Sequence, residues 1–226
     1  MLTFLPDEQP SFIPENLGYV KLVSSMGSDL AIINAARVSF NSSGYSKRLL
    51  RYLLEHKHTS PFEHVVFTFE VSAPIFILRQ WLRHRTWSYN ELSARYAEIP
   101  HESYIPEMIG VASETNKQSR EFLIPSDSEA AEIIQQSVQA SFQAYSRLLS
   151  MSVPREVARI VLPVATKSRM FATVDLHNLL HFISLRNHSG AQYEMQLFAK
   201  ELLRLITPIV PDTVEIWKEL HEKATS

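Results

Sequence analysis

The most informative absence in this sequence is that of cysteine, since none occurs among the 226 residues. Disulfide bonds, thiolate metal sites and a cysteine nucleophile are therefore excluded. Glycine is also scarce, with 5 residues, and no two of them have the spacing of a dinucleotide-binding or P-loop motif. A bound phosphate group would have to be held by side chains and helix ends instead.

Long apolar runs, a leader segment and a positive net charge are missing as well. No apolar run approaches the roughly 20 residues that a membrane helix needs, and no basic, apolar leader opens the chain. We therefore expect a cytoplasmic protein with no membrane partner. Lys and Arg number 22 against 24 Asp and Glu, a net charge of −2, whereas domains that bind duplex nucleic acid are usually basic. We also expect no nucleic-acid partner.

The hydrophobic pattern predicts one domain of mixed α/β (α+β) class that is mostly helical. We expect this single domain to span residues 19–226 and to follow an extended N-terminal arm over residues 1–18, which carry three prolines. Strands are predicted at residues 19–25, 65–71 and 169–174, and helices at 29–38, 46–56, 74–85, 129–150, 154–162, 175–186, 192–206 and after 211. Residues 88–97 suit a loop or short strand, and residues 100–127 a long loop.

The densest set of chemistry-bearing residues lies between Arg79 and Tyr96. It holds four arginines together with histidine, asparagine, glutamate and serine. On a helix, Arg79 and Arg83 would share a face with Gln80. Like charges so placed repel by a few tenths of a kcal/mol, whereas each charge-assisted hydrogen bond to a bound phosphate contributes about 1.5–3 kcal/mol. The alternatives are a solvated basic face and a single-stranded nucleic-acid patch that uses the interleaved aromatic residues.

Two predicted helices farther along the chain carry the next candidates. On residues 154–162, Arg155 and Arg159 share a face, which an amphipathic surface helix with its apolar face inward would explain. On residues 175–186, Arg186 falls on the apolar stripe. It is either a last-turn cation that interacts with the helix dipole or a guanidinium group at the wall of a pocket, and the residues alone leave both open.

Histidine residues form two further candidate sites. His177 and His181 have the i, i+4 spacing of helical zinc ligands. No glutamate follows His177, however, and no cysteine can complete the site, so we expect no metal. Three histidines between residues 56 and 64 precede the strand predicted at 65–71, where turn and capping roles are the default explanation.

The segment around residue 84 resembles the signature of a known enzyme family. Arg83-His84-Arg85, then seven residues, then Ser93 reads R-H-R-x7-S, which is the signature of flavin-dependent thymidylate synthases. Several segments in family order are more specific than the signature alone, and the resemblance covers about residues 19–206. The segments that resemble the family lie at residues 36–40, 58–64, 79–81, 89–93, 95–96, 153–163 and 175–186.

The resemblance implies a reaction and its ligands. Family members methylate dUMP to dTMP with 5,10-methylenetetrahydrofolate as carbon donor and NADPH as reductant through FAD, and they release tetrahydrofolate. Other thymidylate synthases activate the pyrimidine with a cysteine that this chain lacks, so flavin would carry the redox chemistry. The implied fold is of the thymidylate synthase-complementing type, a small central sheet flanked by helices. The implied assembly is a homotetramer whose active sites are shared between subunits.

The resemblance also implies roles for individual residues. Arg186 would be catalytic, because its cation would stabilise negative charge on the pyrimidine as C5 becomes nucleophilic. The residues expected at dUMP are Gln80, Trp81, Leu82, Arg83, Glu91, Leu92, Ser93, Ala94, Arg95, Arg159 and Arg186. The residues expected at FAD are Ser39, His58, Ser60, Arg83, His84, Arg85, Asn90, Glu91, Asp175, Leu176, His177 and His181.

Three of these assignments carry a further expectation. Leu92 and Ala94 would offer backbone N–H groups to dUMP. Ser93 would bind rather than attack, because no base and orienting group are arranged for it. Some relatives have asparagine at the positions of Asp175 and His181, so the hydrogen bonds that these two residues make to flavin are left open.

Overall fold

A computed structural model of the chain describes residues 11–39, 43–112, 120–125 and 128–225. Its centre is a four-stranded antiparallel sheet in the order β1-β2-β6-β3, and a separate hairpin pairs β4 with β5. The predicted class, a small sheet among helices, is confirmed. The strands are β1 (Tyr19–Met26), β2 (Val66–Pro74), β3 (Ser88–Glu91), β4 (Met108–Ala112), β5 (Arg120–Pro125) and β6 (Lys167–Asp175).

The sheet is polar on one face and apolar on the other because residues alternate along its strands. In β2, Phe67 and Phe69 have no exposed surface, and Phe69 lies opposite the buried Ala172 of β6. On the opposite face, the hydroxyl groups of Thr68 and Thr173 are hydrogen-bonded at 2.9 Å. The apolar face is the one on which the core is built.

Helices accompany the sheet, most of them packed in its main core and two in a separate small cluster around Tyr145. They are α1 (Asp29–Ala36), α2 (Lys47–Glu55), α3 (Ile75–Trp81), α4 (Glu129–Ser150), α5 (Arg155–Ala158), α6 (Leu176–Arg186), α7 (Tyr193–Ile206) and α8 (Pro211–Thr225), with 3₁₀ helices at Ser60–His64 and Arg159–Val161. Within the described residues, no helix combines the length and the apolar character needed to span a bilayer.

Two N-cap residues fix where α2 and α6 begin. The Ser46 hydroxyl accepts the Leu49 amide at 3.2 Å, and the Asp175 carboxylate accepts the Asn178 amide at 2.9 Å. Each cap satisfies an amide that has no partner inside its own helix. These bonds explain why both helices start within a residue of their predicted positions.

The core brings the ends of α3 and α6 together. Trp81, the last residue of α3, packs on Phe182 of α6 and Phe198 of α7, with ring centroids 4.9 and 5.8 Å apart. All three rings are fully buried. Because Trp81 and Phe182 lie close in sequence to His84 and Arg186, this packing sets two candidate residues beside each other.

Part of the predicted arm contributes to the same core. Ile13 and Leu17 are buried, and residues 14–18 form a turn. At Gly18, φ is +144° and a Cβ atom would lie 2.0 Å from the Ser72 carbonyl oxygen, so this position requires glycine. Residues 1–10 lie outside the described residues, and the division into an arm over 1–18 and a domain over 19–226 stays a prediction.

The prediction of a long loop over residues 100–127 is wrong in part, because β4 and β5 form an antiparallel hairpin there. The pairing runs from Met108 opposite Pro125 to Ala112 opposite Arg120, with a register shift between Gly110 and Ala112. An irregular register with prolines nearby lacks the sustained two-residue period that identifies a strand in a sequence. Residues 113–119 and 126–127 are outside the described residues.

Helix α3 ends at Trp81, earlier than the predicted end near Arg85. Beyond it, the amides of Arg83 and His84 donate to carbonyl groups three residues back, so tighter turns replace the helix. The expectation that Arg79 and Arg83 share a helix face is therefore wrong. The signature therefore begins in a turn and not on a helix surface.

The helix predicted at 154–162 is divided into α5 and the 3₁₀ helix at Arg159–Val161. The prediction that its apolar face points inward is wrong, because Val157 and Ile160 are 47% and 77% exposed. Ala158 is the buried residue of this segment, within a small cluster around Tyr145. The segment therefore packs through a small side chain and leaves its larger apolar groups outside.

Candidate active site

The turn that holds the signature is fixed by a tyrosine from β3. The Tyr89 hydroxyl group lies 2.8 Å from the His84 carbonyl oxygen and 3.2 Å from that of Trp81. The Trp81 carbonyl group also accepts the His84 amide, so the hydroxyl group adds a second bond at the end of α3 and a bond to the turn beyond it. Tyr89 was not predicted as a site residue, and nothing in its sequence position distinguishes it from a core aromatic.

Arg186 reaches from the end of α6 to the signature turn. Its Nε–H donates to His84 Nε2 at 2.9 Å, and one terminal nitrogen donates to the Gln80 carbonyl oxygen at 3.2 Å. Both acceptors are neutral, and no carboxylate pairs with this guanidinium group among the described residues. Of the two explanations that the sequence leaves open, a cation at a pocket wall is the one that these contacts favour.

The imidazole of His84 accepts this bond because it is held neutral. Burial lowers the pKa of His84 to about 4, with the nearby charges of Arg186 and His181 adding to the effect. Burial also lowers the pKa of Arg186, yet an arginine remains charged at neutral pH. The junction of α6 with the signature turn therefore carries one half-buried positive charge, that of Arg186. No carboxylate among the described residues neutralises it.

Exposed cations flank this junction. Arg79, Arg83 and Arg85 are exposed, and within the described ranges none has a hydrogen bond or an ion pair to another side chain. Unpaired guanidinium groups in a cluster are a suitable donor set for phosphate oxygens. The Gln80 side chain, in contrast, is hydrogen-bonded to Gln192 at the start of α7, a residue that the sequence did not identify.

The second half of the signature lies against α5. The Ser93 hydroxyl accepts the Arg95 amide at 3.4 Å, and Arg95 Nε lies 3.3 Å from a carboxylate oxygen of Glu156. Arg159 Nε donates to the Glu156 carbonyl oxygen at 3.3 Å. The structure thus brings Ser93, Arg95 and Arg159 to one corner, although they come from two distant segments.

Two predicted dUMP contacts are not open to a ligand, because one donor is already bonded and one ring is buried. The Leu92 amide donates to the Arg169 carbonyl oxygen at 2.8 Å, so the expectation that it offers a free N–H group is wrong, and that of Ala94 stays a prediction. The Trp81 indole has no exposed surface, and its Nε1 has no partner. Leu82 caps α3 and is 38% exposed.

A groove of about 310 Å³ lies between β3 and β6 and contains more of the predicted residues. Asn90 and Glu91 line it from β3. The remaining wall is formed by Glu70, Leu92, Arg169, Met170 and Phe171. Glu91, which the resemblance assigns to both dUMP and FAD, therefore lies in a groove adjoining the Ser93 corner.

A second pocket, of about 290 Å³, gathers three of the histidines assigned to FAD. His58 comes from the chain after α2, and His177 and His181 from α6. The His181 ring lies 6.5 Å from that of His84, so this pocket adjoins the junction with Arg186. The rest of its lining is Leu53, Leu54, Lys57, Thr59, Phe62, Leu180, Ser184, Trp217 and His221. Among the described residues, no three His, Cys, Asp or Glu side chains are arranged so that they could hold a metal ion.

The other residues assigned to FAD have structural roles in the chain. Asp175 caps α6 and also accepts the Asn178 side chain at 2.6 Å. Leu176 is buried, and its amide donates to the Val65 carbonyl oxygen. Ser60 opens the 3₁₀ helix at 60–64, and Ser39 is exposed next to residues 40–42, which are outside the described residues.

The residues present suit FAD in their chemistry. The histidine pocket combines apolar walls with imidazole groups, which suits a heteroaromatic ring, and the unpaired arginines nearby suit a diphosphate. Its volume is at the lower end of the range of about 300–1,000 Å³ for small-molecule sites. It can therefore enclose only part of a dinucleotide.

Comparison with known proteins assigns the chain to a family. The family described as thymidylate synthase complementing protein matches residues 21–212. A flavin-dependent thymidylate synthase from Thermotoga neapolitana is 45% identical over 202 residues, covering 88% of this chain and 89% of that protein. One from Thermus thermophilus is 43% identical over 209 residues, covering 90% and 77%.

A solved structure has the same fold. The UMP/dUMP methylase PolB from Streptomyces cacaoi, bound with 5-Br UMP, superimposes with a TM-score of 0.81 at 36% identity and covers 89% of this chain and 94% of that one. Together with the match over residues 21–212, this likeness shows that the chain belongs to the thymidylate synthase complementing protein family.

Proposed function

We propose that this protein is an FAD-dependent thymidylate synthase, a methyltransferase. It converts dUMP to dTMP with 5,10-methylenetetrahydrofolate as carbon donor and NADPH as reductant through FAD, and it releases tetrahydrofolate. The relatives named flavin-dependent thymidylate synthase and the absence of cysteine support this reaction. The enzyme acts on small molecules.

The observation that carries the proposal is the contact between Arg186 and the signature turn. Residues 102 positions apart in the chain meet as Arg186 Nε and His84 Nε2, at 2.9 Å. The contact holds a charged donor beside the proposed dUMP and FAD residues. A surface salt bridge would neutralise such a charge, whereas here the acceptors are a neutral imidazole and a carbonyl group.

Arg186 is the proposed catalytic residue. Its cation faces the carbonyl edge of the pyrimidine and stabilises the negative charge that develops at N3 and O2 as C5 becomes nucleophilic. His84 and the Gln80 carbonyl group orient the guanidinium group. Because a neutral His84 Nε2 accepts the bond, the ring carries its proton on Nδ1.

The dUMP phosphate is proposed to lie at the corner formed by Ser93, Arg95 and Arg159. Arg95 is paired with Glu156 at 3.3 Å between groups that are each 55% exposed, and such a pair exchanges for a phosphate at little cost. Arg83, with its unpaired side chain, is proposed to reach the same ligand. Ser93 donates or accepts a hydrogen bond and does not attack.

The histidine pocket and the arginines of the signature are proposed to hold FAD. When bound, FAD supplies the hydride-transfer chemistry that no side chain of this protein can perform. His58, His177 and His181 line the pocket, and the His84 ring lies 6.5 Å from that of His181. Arg85, Asn90 and Glu91, which lie outside this pocket, are proposed to contact the rest of FAD. The metal-free assignment and the cytoplasmic location stay predictions.

We further propose that the active unit is a homotetramer with shared sites. The pocket of one chain is too small for the whole dinucleotide, and large apolar groups near the site are exposed, among them Ile160 at 77% and Phe171 at 47%. Partner copies that cover these groups would supply the missing walls. FAD would then stabilise the assembly by mass action.

The reaction is tested by tritium release from [5-³H]dUMP. The complete mixture should release tritium and form dTMP, and the purified protein should be yellow, with flavin absorbance that fades anaerobically on addition of NADPH. Removal of FAD from the protein, or omission of NADPH or methylenetetrahydrofolate from the mixture, should each stop dTMP formation. Formation of dTMP by FAD-free protein would refute the proposal.

A further inference from the structure

The C-terminal helix α8 contributes to the histidine pocket although it lies almost entirely beyond residues 21–212, the part of the chain that the family match covers. Trp217 and His221 of α8 line the pocket together with His58, His177 and His181. None of the residues that we assign to FAD or dUMP comes from this helix. Its two aromatic side chains are therefore a feature of this chain that the proposed function has not used.

Helix α8 is firmly positioned at its N-terminus. The buried carboxylate of Asp29 accepts the amides of Asp212 at 3.0 Å and Thr213 at 3.2 Å, which caps the helix. Val214 and Ile216 are buried against the core. Rigid support of this kind lets a side chain farther along the helix keep a defined place at the pocket.

His221 is held in place by its own helix. Its ring packs on the indole of Trp217, with centroids 4.2 Å apart, and its Nδ1 lies 3.0 Å from the Trp217 carbonyl oxygen. The Trp217 indole is only 9% exposed, so it acts as the support, whereas the imidazole is exposed at the pocket. A fixed imidazole loses little conformational entropy when it contacts a ligand.

The charge of the pocket indicates which part of a ligand His221 meets. Lys57 lies on the pocket wall just after α2, and no carboxylate is among the lining residues. Four imidazole groups and one ammonium group without an acid favour an anionic group. We infer, on the basis of the proposed function, that His221 and Lys57 bind the anionic arm of a heteroaromatic ligand in this pocket.

Two ligands of the proposed reaction have this chemistry. FAD carries a diphosphate, and the reduced folate carries carboxylates. The experiment therefore has two arms, a titration of apoprotein with FAD and a titration of the FAD-loaded protein with tetrahydrofolate. Dissociation constants are measured by flavin fluorescence and calorimetry, so the readout does not depend on turnover.

The variants are His221→Ala and Lys57→Gln, with Lys218→Ala as the matched control on the exposed side of α8. Each pocket variant should weaken one of the two ligands by about fivefold to tenfold, the loss expected for one polar contact, and the control should change neither by more than about twofold. The arm that responds identifies the ligand. His221→Gln, which keeps a polar group, should recover part of the loss.

Unchanged affinities in both arms for His221→Ala and Lys57→Gln would overturn the inference while leaving the proposed function intact. Failure of the wild-type protein to bind FAD would instead contradict the proposed function. If His221→Ala loses the near-ultraviolet signal of Trp217, Lys57→Gln alone decides, since its side chain is exposed at the end of α2 and supports no helix.

Discussion

Two cation-rich regions of this protein differ in what their arginines and lysines contact. At the ionic corner between α2 and α8, formed by Lys47, Arg51, Asp212, Glu215 and Glu219, every cation has a carboxylate partner. At the junction of α6 with the signature turn, Arg186 donates only to an imidazole and a carbonyl group. The ion pairs of the first region join two helices. In the second region, the charge of Arg186 has no carboxylate partner among the described residues and is available to a ligand.

The difference shows how to separate structural from functional cations. Exposed ion pairs contribute little to stability, so the ionic corner tolerates change. A half-buried cation without an acid is costly to the folded chain and is retained where binding an anion offsets that cost. Variants of Arg186 and Arg51 test whether the two regions behave differently.

The largest effect is expected at the junction. Arg186→Ala should lower turnover by about 10²–10³, the scale for loss of one electrostatic donor to the transition state, while FAD stays bound. Single-turnover methylation assays with spectroscopic FAD quantification measure both. The matched variant Arg51→Ala at the ionic corner should retain turnover, and near-normal methylation by Arg186→Ala would contradict the assigned role.

The next effect concerns pH and the neutral acceptor of Arg186. Because burial lowers the pKa of His84 to about 4 from 6.5, the unfolded chain binds the proton more readily between these values. Stability should therefore decrease as pH falls through this window, and the slope should vanish below about 4. The ring is half-buried, so solvent screening reduces the expected loss to about 1–2 kcal/mol.

Urea unfolding across this pH range measures the effect of His84. The electrostatic neighbours of His84 are Arg186 and His181. The variant His84→Gln keeps a hydrogen-bond acceptor but has no group that titrates. Its stability should depend less on pH than that of the wild type, whereas His188→Gln, on the exposed loop after α6, should not change the slope. Equal slopes in wild type and His84→Gln would remove His84 as the cause.

A smaller effect is expected at Ser93. Ser93→Ala should weaken dUMP binding by about fivefold, since one neutral hydrogen bond is lost, and should still give dTMP. Calorimetric titration with dUMP and a product assay distinguish binding from chemistry. Intact dUMP binding with complete loss of product would restore the hypothesis of a serine nucleophile.

The smallest effect is expected at the ionic corner itself. Arg51→Gln should change the thermal midpoint only slightly, and high salt should remove the difference, because both partners of its ion pair to Glu219 are partly exposed. Differential scanning calorimetry at low and high salt measures it. A large decrease in thermal midpoint that does not depend on salt would contradict the expectation that this ion pair contributes little to stability.

Much of this arrangement was accessible from the sequence because its signals are local. The cap residues Ser46 and Asp175 identify the starts of α2 and α6, and a helix over Glu129–Ser150 was predicted with the bounds observed. Signature residues identified the region of the site. These signals depend on neighbours within a few positions, and a sequence displays them directly.

The features that could not be predicted from the sequence depend on contacts between distant segments. The Tyr89 hydroxyl group donates to carbonyl groups at and beyond the end of α3, the Gln192 side chain is hydrogen-bonded to that of Gln80, and α8 brings His221 to a pocket lined by residues of α2 and α6. The exposed apolar residues around α5 were not predicted for a related reason, because Ile160 has the sequence pattern of a core residue and is 77% exposed. The hydrophobic periodicity of a single sequence does not show which distant segments make contact.

The most direct test of the central claim compares dUMP with deoxyuridine, which lacks the phosphate. FAD-loaded protein should bind dUMP about 100-fold more tightly than deoxyuridine, and Arg159→Ala should reduce that preference about tenfold, as expected for one charge-assisted bond. Arg51→Ala should leave the preference unchanged. Equal affinity for dUMP and deoxyuridine, or equal losses in Arg159→Ala and Arg51→Ala, would contradict the claim that Arg159, a cation with no carboxylate partner among the described residues, marks the ligand site.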